Sequence, residues 1–131
     1  MKLTFGIAAA IVVGLLAWLL WPGSGSPTVL TADTAQHSVQ LSVDDPKQGA
    51  NSIGLHITDH TGRPVTVDSV VVEPVMPQMG HALTPVTAGA EAPGSYRAPD
   101  TELPMPGQWE ITVSLRAAGD TEQVVFPLLV K

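Results

Sequence analysis

The chain has 131 residues, with six Lys or Arg against twelve Asp or Glu, a net charge of −6 and no cysteine. That length suits one domain with one core plus a short additional segment. The acidic balance without a basic patch argues against nucleic acid as a partner, and the lack of cysteine excludes a disulfide framework and any thiolate site.

From Leu3 to Trp21 nineteen residues carry no charge, and Thr4 is the one clearly polar side chain among them. At 1.5 Å per residue a helix of that length spans roughly 28 Å, the thickness of a bilayer's hydrocarbon core. A cleaved signal peptide is the competing reading. The apolar run exceeds the ~7 to 15 residues of a signal h-region, and no A-x-A-like site follows it closely. Residues 1–22 are therefore expected to be a retained transmembrane anchor. Trp18 and Trp21 suit the aromatic belt, and Pro22 with Gly23 ends the helix where water begins. Lys2 and the α-amino group are the cations nearest the membrane, the next being Lys47. The positive-inside rule then leaves the N-terminus in the cytoplasm. The expectation is a single-pass protein of the bacterial inner membrane whose remaining chain faces the periplasm or the cell exterior.

Residues 23–36, rich in Gly, Ser, Pro and Thr, read as a flexible tether, and residues 37–131 as one domain. Beyond residue 22 five cations, Lys47, Arg63, Arg97, Arg116 and Lys131, face twelve acids. Such a field mildly attracts cations.

Within the domain the apolar residues recur with period two. Val39, Leu41 and Val43 alternate with polar neighbours, as do Ile53, Leu55 and Ile57. The most regular run sets Trp109, Ile111, Val113 and Leu115 on one face and Glu110, Thr112, Ser114 and Arg116 on the other. This alternation marks strands with one buried and one wet face. Asp59 to Pro64 reads as a turn, and Ala117 to Thr121 as a hairpin turn before Gln123 to Val130. With Val65 to Val75, Ala82 to Val86 and Gly94 to Ala98 there are about seven short strands and no convincing helix after the anchor. The expected fold is an all-β, immunoglobulin-like antiparallel β-sandwich, with a small closed barrel as the second choice. Trp109 is expected in the core.

The run Met76, Pro77, Gln78, Met79, Gly80, His81 sets two thioethers and an imidazole within six residues. Soft sulfur ligands joined by an imidazole suit Cu(I), a closed-shell ion without strong geometric demands. Thioethers do not titrate, so acid would weaken such a site only through its imidazole. Met105 lies in a second proline-punctuated segment, Leu103 to Gly107. Pro74, Pro77, Pro104 and Pro106 argue against continuous ladders through either segment, so both are expected as loops or strand edges. Loops of a sandwich gather at its two ends, which would bring Met105 beside Met79 and His81. The metal ligands expected are Met76, Met79 and His81, with Met105 as a further candidate, and copper(I) as the ion held. The competing reading treats the methionines as adaptable packing or as a small apolar contact surface of a non-metal envelope scaffold. His56 and His60 have i, i+4 spacing, but on a strand and its turn they read as solvated polar positions. No nucleophile elbow, phosphate loop, HExxH or EF-hand pattern occurs, so no enzyme is expected.

Val70 to His81, VVVEPVMPQMGH, followed by Pro93-Gly94-Ser95-Tyr96 and by Met105-Pro106-Gly107-Gln108-Trp109, resembles the YtkA-like domain, which is similar to the FixH-like accessory proteins. The resemblance covers roughly residues 36 to 130. It implies an exported, often anchored immunoglobulin-like sandwich, linked in some members with copper handling or terminal-oxidase assembly. It maps the family's methionine and histidine loop onto Met76, Met79 and His81, gives Met105 as a further ligand and makes Trp109 structural. The partners it implies are a copper acceptor or an oxidase-assembly protein.

Overall fold

The computed structural model describes residues 27–131, and the expected anchor, residues 1–22, lies outside the described residues. Among the described residues no helix is long and apolar enough to cross a membrane. The strands in chain order are β1 (Thr28–Asp33), β2 (Ser38–Val43), β3 (Gly49–Thr58), β4 (Ser69–Met76), β5 (His81–Ala82), β6 (Val86–Thr87), β7 (Gly89–Ala92), β8 (Ser95–Leu103), β9 (Gly107–Ala117) and β10 (Asp120–Val130). A single 3-10 turn, Pro77–Met79, separates β4 from β5. The strands form two antiparallel sheets, ordered β1-β2-β3-β8-β7 and β10-β9-β4-β5, with β6 also paired to β4. The fold is an all-β sandwich.

The alternating runs become its two inner faces. Val39, Leu41, Val43, Ile53 and Ile57 come from the first sheet, and Val70, Val72, Trp109, Ile111, Val113, Leu115, Phe126 and Leu128 from the second. Each of these is at most 2% exposed. The hairpin between β9 and β10 turns on Ala118 and Gly119, both with positive φ (52° and 83°). That signature belongs to a two-residue turn whose twist matches that of the flanking strands.

Within the range expected as a tether, residues 23–36, Thr28–Asp33 is a strand paired along its whole length with β2, from Thr28 opposite Val43 to Asp33 opposite Ser38. Thr and Val favour the pleated surface, and Leu30 and Ala32 pack against the core. The strand expected over Ala82 to Val86 is two short pieces, β5 and β6, parted at Leu83, Thr84 and Pro85. Val65 to Asp68 belongs to a crossover and not to a strand.

The expectation that Pro74 would interrupt the ladder also fails. β4 runs straight through it, with Pro74 opposite Ile111. The Pro74 carbonyl accepts the Leu83 N–H at 2.9 Å. In an antiparallel strand the N and O of one residue point to the same side. The missing N–H of Pro74 therefore faces the gap between β5 and β6, where no ladder partner is lost. Pro127 is tolerated in β10 on the same logic, since β10 is an edge strand and Pro127 keeps its register opposite Glu110.

The crossover from β3 to β4 is pinned at both ends. Asp59 Oδ1 accepts the Thr61 hydroxyl (2.6 Å), the Thr61 N–H (2.9 Å) and the Arg63 N–H (3.0 Å). These bonds, the Thr61 hydroxyl foremost, hold the Asp59 carboxyl below the usual carboxylate range. Further along, the buried Tyr96 hydroxyl accepts the Val67 N–H at 2.8 Å and donates to the Val67 carbonyl at 3.2 Å. Gly94, two residues before Tyr96, has φ of 75°, and a Cβ there would lie 2.7 Å from the Ile57 carbonyl oxygen. The Pro-Gly-x-Tyr segment is thus a structural clamp.

Candidate metal centre

The sandwich has two ends of different chemistry. One end gathers the start of β1, the residue 44–48 connection, the end of β4 with its 3-10 turn, the residue 104–106 connection and the end of β10. The sheets are laced there by Gln48 N–H to the Lys131 carbonyl and Lys131 N–H to the Pro46 carbonyl, both 3.3 Å. All four expected metal-site residues lie at this end.

Met76 closes β4 and belongs to the core, 3% exposed. The segment is expected as a loop or strand edge, and Met76 is instead the last, inward-facing residue of a strand because Pro74 does not stop β4. Its methyl carbon lies 3.4 Å from where a Cβ on Gly107 would sit. Gly107, at φ of 132°, thereby lets the second methionine segment approach the first. Pro77 opens the 3-10 turn, and Gly80, in the left-handed conformation at φ of 66°, closes it with a 3.2 Å bond from its N–H to the Pro77 carbonyl. Met79 rides on this turn, 54% exposed. His81 follows as the first residue of β5, opposite Met76 in the ladder. Met105 is partly buried against the core. Its carbonyl accepts the Trp109 indole N–H at 2.9 Å, which ties the connection to the start of β9. The Met-Pro-Gly-x-Trp segment therefore positions Met105 through Gly107 and Trp109.

The two methionine-bearing segments do converge, from residues 76–81 and 103–107. The burial of the sulfur-bearing side chains is graded, from Met76 inside through Met105 to Met79 outside. Among the described residues no group of three or more His, Asp or Glu side chains is placed to hold a metal. The thioethers of Met76, Met79 and Met105 lie at this end, with His81 next in sequence to the turn that carries Met79. Beside them, an open groove of about 290 Å³ runs between Pro74, Leu83 and Val86 on one side and Thr101, Glu102 and Pro104 on the other.

His56, half-buried on β3, has its Nδ1 3.1 Å from Ser95 Oγ, and His60, in the crossover, has its Nε2 3.1 Å from the Ala35 carbonyl. Their i, i+4 spacing brings no shared site. Sequence reasoning missed the partner of His37. At the opposite end of the sandwich its Nδ1 meets Glu122 Oε1, while Glu122 Oε2 accepts the Gln36 N–H at 3.1 Å. Burial pushes the Glu122 carboxyl up, but the bonds from His37, Thr34 and Gln36 outweigh it and hold it below the usual carboxylate range. The pair is 85 residues apart, so no local spacing signals it.

A family model described as YtkA-like matches residues 31–114. The match covers more than half of the chain, which therefore belongs to the YtkA-like family. The crystal structure of an engineered protein from the Northeast Structural Genomics Consortium is similar to this chain, with a TM-score of 0.51 and 16% identity over 81% of it. The chain matches only 20% of that protein's length, and the likeness is one of fold. Among curated proteins nothing matches.

Proposed function

We propose that this YtkA-like protein is a membrane-anchored, periplasm-facing copper(I)-binding protein, an immunoglobulin-like sandwich that buffers or delivers the ion, in oxidase assembly or to another acceptor. The ligands assigned are Met79, Met105 and His81, with Met76 beneath them. The observation that supports this reading is the folding of two separate methionine segments to one end, with sulfur burial graded from core to solvent. A soft ion seated there has neutral donors below and an exposed thioether above. Neutral thioethers hold Cu(I) less firmly than thiolates do, which suits transfer.

A second reading, a non-metal envelope interaction module, is favoured by one observation. Met76 is a core residue, and as packing it needs no metal to explain it. The two readings separate in a titration of the full chain in detergent with Cu(I) against a chromogenic chelator. Under the copper reading the wild type competes for the ion, and Met79→Ile combined with Met105→Ile abolishes competition while the thermal midpoint stays close to that of the wild type. Equal competition by the double variant rejects the site and leaves the interaction module.

A further inference from the structure

The end that holds the methionines is also the end at which the chain enters the sandwich. Thr28, the first strand residue, stands opposite Val43, and Val43 leads into the residue 44–48 connection beside Lys131. Six residues, Pro22 to Pro27, separate Trp21 from Thr28. Fully extended, six residues reach at most about 22 Å. The opposite end, with the Ala118–Gly119 turn and the His37–Glu122 pair, lies further away by the length of β9 and β10. Each has eleven residues, or roughly 35 Å at the usual rise.

We propose that the methionine end of the sandwich faces the membrane and docks on the outer surface of an integral membrane protein. This rests on the anchoring part of the reading above, and not on the metal itself. The charges at this end favour a protein partner over the lipid surface. Asp44, Asp45, Glu102 and Glu110 outnumber Lys47 and Lys131, and the Lys131 ammonium is already 3.3 Å from Asp45 Oδ1. Anionic headgroups attract clusters of Lys and Arg, and this end offers the reverse. The exposed Met79 and the prolines Pro77, Pro104 and Pro106 supply an apolar, adaptable centre within that acidic rim.

The absence of cysteine makes the test clean, because Gln78→Cys and Thr121→Cys each place one thiol on an exposed position at opposite ends. The full chain is first expressed in bacterial membranes, which are then washed with alkaline carbonate. Loss of the protein in the wash overturns the anchoring reading and this proposal with it. With the protein retained, nitroxide labels at the two positions are compared in nanodiscs bearing gadolinium-chelating lipid. Relaxation enhancement several-fold greater at residue 78 than at residue 121 is the expected result, and equal or reversed values overturn the orientation while leaving the anchor intact. Benzophenone at the same two thiols in native membranes then identifies the contact. A carbonate-resistant protein adduct from residue 78 and none from residue 121 supports the partner. Lipid adducts only, extractable protein adducts only, or no adduct overturn it.

Discussion

The two ends of this sandwich solve their polar accounts differently. At the far end the side chains answer one another. Glu122 takes bonds from His37 and from the Gln36 backbone, and the Thr34 hydroxyl accepts the His37 N–H at 2.9 Å. At the methionine end the backbone is laced, yet Met79 remains in solvent and is held there by a proline-opened, glycine-closed turn. The far end closes on a buried imidazole and a partly buried carboxylate, whereas the methionine end leaves one thioether exposed along with the Lys131–Asp45 contact. Binding sites gather on such loops because the rigid sheets behind them carry the stability.

The comparison can be broken first at Trp109, which belongs to both descriptions because it fills the core and fixes Met105. Trp109→Ala is expected to cost about 3–5 kcal/mol in urea unfolding, the usual range for emptying a buried aromatic site. A loss under about 1 kcal/mol, small against that range, would mean that the methionine end is not braced by the core. The next largest effect is expected at the far end. Glu122→Gln removes a carboxylate from a charge-assisted network and should cost about 1–3 kcal/mol near neutrality.

That difference should depend on pH in a defined sense. The folded Glu122 carboxyl titrates below its unfolded value. Its contribution is therefore complete above the unfolded value of about 4.5 and is lost as the pH falls through the lower, folded one. The unfolding free energies of wild type and Glu122→Gln should accordingly converge in acid and stand apart near neutrality. A constant gap across that window would remove the ionised Glu122 carboxylate from the account of the far end. The smallest effect is expected at Met79, where Met79→Ile should change stability by no more than about 0.5 kcal/mol, as surface substitutions do. A larger loss in a thermal melt would show Met79 to be structural and would erase the contrast between the ends.

Much of the sandwich is legible in the residues because burial of one face imposes period two. Trp109 to Leu115 and Val39 to Val43 show it directly, and both are strands with those side chains inside. β1 is hidden because its inward residues include only Leu30 and Ala32 as apolar side chains and it follows a Gly, Ser and Pro run. The course of β4 is hidden for a different reason. Whether a proline breaks a ladder depends on which side its missing N–H faces, and that side is set by partners distant in the chain. That the two methionine-bearing segments lie at one end follows from loops gathering at sandwich ends. The depth of Met76 does not, because it depends on β4 continuing through Pro74. The His37–Glu122 contact joins opposite sheets and leaves no trace in either local segment.

Pro127 has a consequence for handling the protein. It interrupts the run Val124, Val125, Phe126, Pro127, Leu128, Leu129, Val130 on a strand whose outer side has no ladder partner among the described residues. Without the proline, those seven residues would form an uncharged, β-prone segment with an unbroken row of donors. The ring removes one backbone donor from that edge, and Pro127→Val is expected to lower solubility, measured as the protein concentration left in the supernatant after incubation and centrifugation.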